Sequence, residues 1–499
     1  MNRPVRSLGL ALAAAVFSLI GLAACSAPAA PGAEIQGPLV IVPPGASPAA
    51  VAGLAARVVP SPRQLAWQER ELIAFAHFGM NTFTDREWGL GTESPSLFNP
   101  AAFDAGQWVS VLKAAGMKML IVTAKHHDGF CLWPSRLTGH SVRNSPWRGG
   151  RGDVIKDVAG ACRDAGLKLG IYVSPWDRHE PTYGDSPAYN EHFRGQLREL
   201  LTWYGPVDEV WFDGANGEGP NGKRQVYDWP SYYSVIRELQ PQAVIFGMAP
   251  DIRWVGTESG YGRETEWSVI PLALPRPVDA GLLSRPFPLD DVWTPGDLTG
   301  EDLGSRNRLA TATALAWYPA ETDVSIRPGW FYHRNEDGRV KTPEQLVDIY
   351  FSSVGRNSVL LLNVPPDKRG LISDADIRSL TGMRRVLDGT FGRDLAAGAE
   401  VKASSAGPFQ IELDLSEERT FDVVLLQEKI ADGQRVEKYR LDAWNGTEWK
   451  AFASGTTIGY KRLLRFAALT ARRVRLVVEQ SRAVPVISRL GLFLRPAGY

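Results

Sequence analysis

The chain has 499 residues, of which 44% are hydrophobic, so it is long enough to bury more than one large core. Its 55 Lys and Arg residues balance its 55 Asp and Glu residues, which argues against a nucleic-acid partner because such a partner favours a basic surface. The 16 Trp, 14 Tyr and 19 Phe residues suit sugar stacking and ordinary core packing alike, and do not decide between them.

The N-terminus has the pattern of an export signal. Arg3 and Arg6 precede a long apolar run, which predicts a signal peptide over residues 1–24 that is removed from the mature protein. The run ends in LAAC, which resembles a bacterial lipobox, so Cys25 is the expected lipidation site and new N-terminus; the alternative is a secretory signal with a chance cysteine. Ser26 stands where an inner-membrane retention signal has Asp, which favours an exported protein anchored at the bacterial outer membrane or facing the periplasm.

Residues 25–62 are rich in Ala, Pro and Gly, which predicts a lipoprotein tether with little to pack. Cys131 and Cys162 would then stand in an oxidising compartment, where they can pair, although their spacing does not prove a disulfide. Neither lies in a CxxC arrangement, so they do not suggest a metal site.

Residues 63–390 alternate short β-rich runs with helical segments, which is the signature of parallel βα units. Eight strands are predicted, which favours a (β/α)8 TIM-like barrel of the α/β class. The predicted strands are Leu72–Gly79, Met117–Thr123, Leu167–Ser174, Val207–Asp213, Ala243–Met248, a short one near Arg263–Trp267, one within Ala312–Tyr318 or the stretch to Tyr332, and Ser358–Val364.

Helices are predicted between these strands, where apolar residues recur at helical spacing. Gly116 and Gly166 stand where helix C-caps belong. The predicted helices are Ala105–Gly116, Val154–Gly166, Ala188–Tyr204, Ser231–Leu239, Pro343–Val354 and Asp374–Leu387.

Residues 391–499 have short alternating strands without helices, which predicts a separate C-terminal antiparallel β-sandwich as an accessory domain. Its Trp444 and Trp449 are candidates for a sugar-stacking platform, with core packing as the favoured alternative. The predicted strands are Val401–Leu415, Phe421–Leu426, Tyr439–Trp444, Trp449–Ala453, Leu463–Phe466, Val474–Val478 and Ile487–Phe493.

Asp213 is the first candidate for chemistry, because it ends a predicted strand and precedes a glycine-rich loop. Barrels of this kind place their catalytic groups at the C-terminal ends of the strands. The alternative is an Asp that caps the following turn.

Histidines follow the first two predicted strands, at His77 and at the pair His126-His127. Three of the seven histidines at two successive strand ends predict a binding role. A metal held by two His and Asp128 is the alternative. Adjacent strand residues point to opposite faces, so His126 and His127 can share an ion only if the strand has already ended.

A second carboxylate is needed for ordinary glycoside hydrolysis, in which one group attacks the sugar while the other delivers a proton. The candidates are Glu258, in a loop after the fifth predicted strand, and Glu264 and Glu266. The last two alternate with Arg263 and Trp267 in the predicted sixth strand, where structural pairing explains them equally well.

Six motifs occur in a fixed order along the predicted barrel: HFGMNTF, the pair Glu87-Trp88, KHHDGFCLWPS, GIYVSPW, EVWFDG and RWVGTESGYGRETEW. Together they resemble glycoside hydrolase family 29, the retaining α-L-fucosidases, over roughly Arg63 to Asn363. A β-sandwich after the barrel is also usual in that family.

The resemblance implies that Asp213 is the nucleophile and Glu258 the acid/base, with no metal or organic cofactor. The Arg-Trp-x-Gly-x-Glu segment resembles the subgroup specific for α-1,3 and α-1,4 linkages, although Thr257 stands where relatives often have Asn or Asp. The implied fucose-binding residues are His77, Glu87, Trp88, His126, His127, Tyr172, Trp211, Arg253 and Trp330.

The sequence thus predicts an exo-acting retaining α-L-fucosidase that cleaves fucosylated oligosaccharides or glycoconjugates by double displacement. Membrane contact is expected only through the N-terminal lipid. One alternative is a retaining exo-glycosidase for a related sugar such as L-galactose. Another is a surface lipoprotein that binds fucosylated glycans without cleaving them.

Overall fold

The computed structural model describes residues 36–277, 281–290, 292–293 and 299–499. The predicted signal peptide and the predicted lipidation site, Cys25, lie outside these residues. Within the described part of the chain, no helix is long and apolar enough to cross a membrane.

Eight parallel strands form a nearly closed barrel, as the sequence predicts. They are hydrogen-bonded side by side in the order β5-β4-β3-β2-β1-β8-β7-β6, and a bridge from Phe246 to Ile252 brings the two edges of the sheet together. The strands are β1 (Leu72–Ala76), β2 (Met119–Lys125), β3 (Lys168–Val173), β4 (Glu209–Trp211), β5 (Val244–Phe246), β6 (Arg253–Trp254), β7 (Ala320–Ser325) and β8 (Ser358–Asn363).

The strands are apolar throughout because both of their faces are buried. In β1, Ile73 and Phe75 join one buried cluster with Ile121 and Leu361 of the neighbouring strands. The alternate residue Ala74 belongs to a different cluster, which packs the barrel against its helices. The barrel therefore has a filled interior, and the site lies where the strands end.

The six predicted helices are all present, and their ends differ by a few residues from the predicted ones. Gly166 adopts the left-handed conformation, with φ of 70°, and ends the helix before β3, as its position in the sequence predicts. The described helices are Pro48–Ala55, Pro62–Gln68, Met80–Thr84, Ala105–Ala114, Val154–Ala165, Ser186–Trp203, Trp229–Leu239, Arg306–Leu309, Pro343–Ser352 and Asp374–Phe391.

The predicted sixth strand is wrong. The sixth barrel strand is β6, and the segment near Arg263–Trp267 is not a strand. That segment bonds to the C-terminal domain instead: Arg462 Nη1 donates to the Glu264 carbonyl, and the Glu266 backbone N–H donates to Thr457 Oγ1. Because the hydrogen-bond partners of this segment lie almost two hundred residues away in the sequence, the local sequence pattern does not indicate them.

A small antiparallel sheet of three strands, Leu39–Ile41, Val269–Leu272 and Ala314–Trp317, lies outside the barrel. It takes up part of the region predicted for the seventh barrel strand. It also corrects the predicted tether, because Leu39 and Val51 are buried and residues 36–62 are folded. The Ala- and Pro-rich composition here forms helices that begin at proline, and their small side chains pack closely.

The C-terminal part is a six-stranded antiparallel sheet that folds over as a sandwich. Two of its strands are long. The predicted strand Val401–Leu415 is divided, and its second part joins Phe421–Leu426 in the strand Gln410–Glu428. The strand Arg462–Ser481 joins the predicted Leu463–Phe466 and Val474–Val478, and register shifts after Asp414 and Phe421 interrupt the pairing of the two long strands. The strands are β9 (Glu400–Ser404), β10 (Gln410–Glu428), β11 (Val436–Trp444), β12 (Trp449–Gly455), β13 (Arg462–Ser481) and β14 (Ile487–Phe493).

Cys131 and Cys162 are both buried free thiols, so they do not form a disulfide with each other. Burial raises the pKa of the Cys162 thiol to about 12. The pKa of the Cys131 thiol is also raised well above its usual value, again by burial. Both side chains behave as small core residues.

Candidate active site

A cavity of about 250 Å³ lies at the C-terminal ends of the barrel strands. It brings together every predicted catalytic and sugar-binding residue except Arg253. A larger groove of about 1040 Å³ runs along helices Ala105–Ala114 and Val154–Ala165, away from these strand ends. The lining residues of the small cavity are Phe75, His77, Glu87, Trp88, His126, His127, Tyr172, Trp211, Asp213, Ala215, Glu258, Asp323 and Trp330.

Asp213 follows β4, and both of its carboxyl oxygens are held in place. Tyr172 Oη donates to Oδ2 at 3.0 Å, and the Ala215 backbone N–H donates to Oδ1 at 2.7 Å. Burial, together with the nearby Asp213, raises the pKa of Tyr172 well above 10, so its hydroxyl stays a donor. The Asp213 side chain is 25% exposed, which leaves it oriented yet accessible from the cavity.

The ring of Trp211 forms part of the floor of the cavity. It stacks on Phe246 at 4.4 Å between ring centroids and lies 5.2 Å from the Tyr172 ring. Its indole N–H donates to Glu321 Oε1 at 3.0 Å, which fixes the rotation of the ring. A rigid aromatic face of this kind suits the apolar C–H side of a sugar.

His77 is a neutral ring with a defined tautomer. Asn363 Nδ2 donates to the Trp330 carbonyl at 2.8 Å, so Asn363 Oδ1 is the atom that accepts from His77 Nδ1 at 3.0 Å. Burial lowers the pKa of His77 to about 3, although the Asn363 bond opposes this. Nε2 of the neutral ring is therefore left as a hydrogen-bond acceptor.

His126 has the opposite tautomer. Asn81 Nδ2 donates to the Glu87 carbonyl at 3.0 Å and lies 3.2 Å from His126 Nδ1, so Nδ1 accepts and Nε2 carries the proton. Burial, with His127 and His77 nearby, holds the pKa of His126 well below 6.5. The neutral His126 ring therefore offers a donor where His77 offers an acceptor.

His127 faces the Asp213 carboxylate, with Nε2 at 3.8 Å from Oδ2. Ser174 Oγ donates to the Trp176 carbonyl at 2.8 Å, so it accepts from His127 Nδ1 at 2.7 Å. Burial lowers the pKa of His127, although Asp213 opposes the shift. The strand β2 ends at Lys125, so both His126 and His127 turn to the same cavity, with ring centroids 4.1 Å apart.

Glu87 is clamped by the loop that follows β7. Its carboxylate accepts from the backbone N–H groups of Trp330 at 2.8 Å and Phe331 at 3.1 Å. His333 Nε2 lies 2.7 Å from the same carboxylate, and His333 Nδ1 lies 2.8 Å from Asp85. Burial lowers the pKa of His333, but hydrogen bonds to Asp85 and Glu87 outweigh it, and the net shift is upward.

Glu258 is exposed on the loop after β6, and its Oε2 accepts from Trp330 Nε1 at 3.1 Å. Trp88, 58% exposed, stands at the rim with its ring edge-on to His127 at 5.8 Å. The carboxyl group of Glu258 therefore lines the cavity while remaining open to solvent, as a group that exchanges protons needs to be.

Arg253 does not reach the cavity. Its side chain is fully buried and forms an ion pair with Glu266, so the predicted sugar contact of Arg253 is wrong. Glu264 pairs with Arg462 and Arg356 on the side of the sandwich. Neither Glu264 nor Glu266 lines the cavity, and both are explained by structural pairing.

Four residues of the site are not predicted from the sequence: Phe75, Ala215, Asp323 and His333. Phe75 lies in the first predicted strand and could have been found from its alternation with His77. Asp323 lies on β7, which falls in the second of the two stretches predicted for the seventh strand, and its polar neighbours give no sign that it faces the site. Among the described residues, no group of three or more His, Cys, Asp or Glu side chains is arranged to hold a metal ion.

Comparison with known proteins agrees with this geometry. The α-L-fucosidase family model matches residues 63–260 and 287–389. Alpha-L-fucosidase 1 of Arabidopsis thaliana is 42% identical over 468 residues, covering 87% of this chain and 87% of that protein.

Solved structures give the same result. A Bacteroides ovatus protein assigned as an α-L-fucosidase is 50% identical, with a TM-score of 0.83 over 92% of this chain and 78% of that one. A Ruminococcus gnavus fucosidase of glycoside hydrolase family 29, solved with fucose, is 32% identical, with a TM-score of 0.76 over 88% of this chain and 95% of that one. The chain therefore belongs to the α-L-fucosidases of glycoside hydrolase family 29.

Proposed function

We propose that this enzyme is an exo-acting, retaining α-L-fucosidase in which Asp213 is the nucleophile and Glu258 the acid/base. The observation that carries the proposal is that these two carboxyl groups line one cavity of about 250 Å³. A cavity of that size is small among ligand pockets and suits one terminal sugar residue rather than the interior of a chain.

In the first step, Asp213 Oδ attacks the anomeric carbon of the fucose and the bond to the leaving oxygen breaks. The hydrogen bonds from Tyr172 and Ala215 hold the attacking carboxylate in position. Glu258 gives its proton to the leaving oxygen, so the product of this step is an alcohol and a β-linked fucosyl-enzyme.

In the second step, water attacks the same carbon from the face that the leaving group has vacated. Glu258, now a carboxylate, takes the proton of the water as the bond to Asp213 breaks. Two inversions give α-fucose and restore both carboxyl groups to their starting states. This course requires the two carboxyl groups to be about 5–5.5 Å apart.

The three neutral histidines supply directional hydrogen bonds for the sugar hydroxyls. His77 Nε2 can accept and His126 Nε2–H can donate, so the pair distinguishes the orientation of neighbouring hydroxyl groups. Phe75, Trp211 and Trp330 provide the apolar side of the cavity, where the methyl group and C–H bonds of fucose fit.

The proposed substrates are α-1,3- and α-1,4-linked fucosides of oligosaccharides or glycoconjugates. Support comes from the segment Arg253–Glu258, which resembles the subgroup with that preference. Within this segment the buried Arg253 braces the base of the loop through Glu266, and Glu258 faces the cavity.

The test combines stereochemistry and linkage. Proton NMR of the first product should show α-fucose, and a panel of α-1,2, α-1,3, α-1,4 and α-1,6 fucosides should show preference for the second and third. Initial release of β-fucose would contradict the retaining mechanism. A preference for α-1,2 or α-1,6 bonds would contradict the linkage assignment alone.

We also propose that the protein is exported and anchored through a lipid on Cys25. The support is the basic and apolar N-terminal pattern that ends in LAAC. Mass spectrometry of the N-terminal peptide from membrane fractions should show a diacylglyceryl-modified Cys25. An unmodified Cys25, or cleavage elsewhere, would contradict the anchor.

A further inference from the structure

A fourth carboxyl group, that of Asp323 on β7, lines the cavity together with Glu87, Asp213 and Glu258. Its residue is only 4% exposed. One oxygen, Oδ1, accepts from Trp254 Nε1 at 2.8 Å. No other described side chain donates a hydrogen bond to the Asp323 carboxyl group, so the indole of Trp254 is its side-chain anchor.

Asp323 also holds the loop that carries Glu258. The indole of Trp254, at the start of the loop, bonds to the Asp323 side chain, and the Gly260 backbone N–H, at its end, donates to the Asp323 carbonyl at 3.2 Å. Between them, the Val255 backbone N–H donates to the Glu321 carbonyl at 2.9 Å. The same strand thus fixes both ends of a loop of seven residues.

The carboxyl group of Asp323 has a raised pKa, which suits its position beside other carboxyl groups. Burial raises its pKa to about 7, the Trp254 bond opposes the rise, and the carboxylates of Glu258 and Asp213 add to it. Glu321, two residues earlier on the same strand, also faces Asp323. Below neutral pH the group is therefore uncharged, and it can anchor the loop without adding another negative charge beside Glu258.

We propose that the Asp323 side chain is a positioning residue for Glu258, which it acts on by fixing the indole of Trp254 at the start of the acid/base loop. The bond to Gly260 at the other end comes from the Asp323 backbone carbonyl, so it is kept in every Asp323 variant. The inference rests on the proposed role of Glu258 as proton donor. It predicts a defect confined to proton delivery, because the nucleophile Asp213 is held by Tyr172 and Ala215 and not by this loop.

The test compares two substrates: an aryl fucoside whose leaving group departs with little protonation, and a fucosylated oligosaccharide that needs the proton. Asp323→Ala should lower kcat on the oligosaccharide by about ten- to a hundredfold, as misplacement of a catalytic group does, and kcat on the aryl fucoside by less than about threefold. Asp323→Asn keeps an oxygen for Trp254 and should recover most of the difference.

Two controls separate positioning from loss of folding. Glu199 is also a buried carboxyl that accepts from an indole, Trp133 Nε1 at 2.8 Å, but it does not line the cavity. Glu199→Ala should change both substrates by the same factor. In a Glu258→Ala background, Asp323→Ala should add little further loss, because its effect passes through the missing side chain.

Equal losses on both substrates for Asp323→Ala, or additive losses in the double variant, would overturn the inference. Failure of the proposed function looks different. In that case Glu258→Ala alone would show no dependence on the leaving group, whatever Asp323→Ala does.

Discussion

Asp213 and Glu258 are held in different ways, and the difference matches their proposed tasks. Asp213 accepts two hydrogen bonds from groups that stay protonated, Tyr172 Oη and the Ala215 backbone N–H, so its carboxylate has a fixed direction. Glu258 accepts one bond, from Trp330 Nε1, and is exposed to solvent. A nucleophile needs direction, whereas an acid/base must also exchange protons with water.

Removing each carboxyl group should therefore have a different effect. Asp213→Ala should lose activity on every substrate, by roughly several powers of ten, because no fucosyl-enzyme can form. Glu258→Ala should keep more of its first step on an aryl fucoside than on an oligosaccharide. Steady-state and pre-steady-state kinetics on both substrates would measure this.

Azide provides the control for the second step. It needs no general base, so it should speed turnover by Glu258→Ala and give the α-fucosyl azide. Equal loss on both substrates without azide rescue would return the acid/base role to an unassigned group.

The tautomers of His77 and His126 are set by their amide partners, which suggests a second experiment. Asn81→Asp replaces the donor to His126 Nδ1 with an acceptor, so the ring must place a proton on Nδ1 and offer a lone pair or a charge to the sugar. We expect kcat/KM to fall by about ten- to a hundredfold, the usual scale for a misdirected buried hydrogen bond. Asn81→Ala imposes no tautomer and should retain more activity than Asn81→Asp; the reverse order would contradict the assignment.

At the scale of elements, the sequence predicts the first five strands well, because each is a buried apolar run and the first four are followed by a helix. It also places His77, His126 and Asp213 at strand ends, where the structure finds them. The sixth strand has only two residues, too few to show a period. Strand seven, with the sequence AETDVS, puts polar residues inside the barrel, so its hydrophobic pattern is broken and Asp323 was missed.

Those polar residues form an unusual feature of the barrel interior. Glu321 on β7 and Glu209 on β4 are both fully buried, and each accepts an indole N–H, from Trp211 and Trp67 respectively. One oxygen of each group, Glu321 Oε2 and Glu209 Oε1, has no hydrogen-bond partner among the described residues. Burial raises the pKa of both carboxyl groups. The charge of Glu209 also raises the pKa of Glu321, so we expect the pair to keep at least one proton at neutral pH.

This pair should make stability depend on pH. When the pKa of a carboxyl group is higher in the folded state than in the unfolded state, its contribution to the free energy of unfolding is fully present below the unfolded-state pKa. The contribution is lost as the pH rises from the unfolded-state pKa to the folded-state pKa, by about 1.4 kcal/mol per pH unit for each proton that the folded state retains. Glu209→Gln removes one such group, so urea unfolding between pH 5 and pH 8 should show a shallower decline than in the wild type. Glu448→Gln, at an exposed position, should keep the wild-type slope, and equal slopes for all three proteins would contradict the retained proton.

At the scale of the whole molecule, the sandwich is joined to the barrel more closely than its sequence suggests. Leu463 and Phe493 of the sandwich belong to the same buried cluster as the barrel helices, and Lys461 forms an ion pair with Glu71 beside β1. The sequence shows a change of pattern at residue 391, but it cannot show that the apolar side chains on either side of that point meet.

The sandwich also offers no open aromatic platform at its two candidate tryptophans. Arg473 lies over the rings of Trp444 and Trp449, and Arg475 lies 4.5 Å above the Trp449 ring. These ring faces are occupied by guanidinium groups, which leaves less of them for stacking on sugar. The accessory role of residues 391–499 stays a prediction, and these contacts favour support of the barrel over glycan capture at Trp444 and Trp449.

If the sandwich supports the barrel, the two should unfold together. Phe493 packs against Phe391 at the end of the last barrel helix, with ring centroids 5.2 Å apart, and both residues lie at the junction. Phe493→Ala should cost about 3–5 kcal/mol, the usual range for a buried phenylalanine, and it should lower the Tm of the whole protein in one calorimetric transition. Val401→Ala, at an exposed position on β9, serves as the control and should leave Tm nearly unchanged. The opposite outcome would be two separate transitions in Phe493→Ala, in which the barrel melts at the wild-type temperature and fucosidase activity survives up to that temperature. That result would show that the sandwich folds independently and does not support the active site.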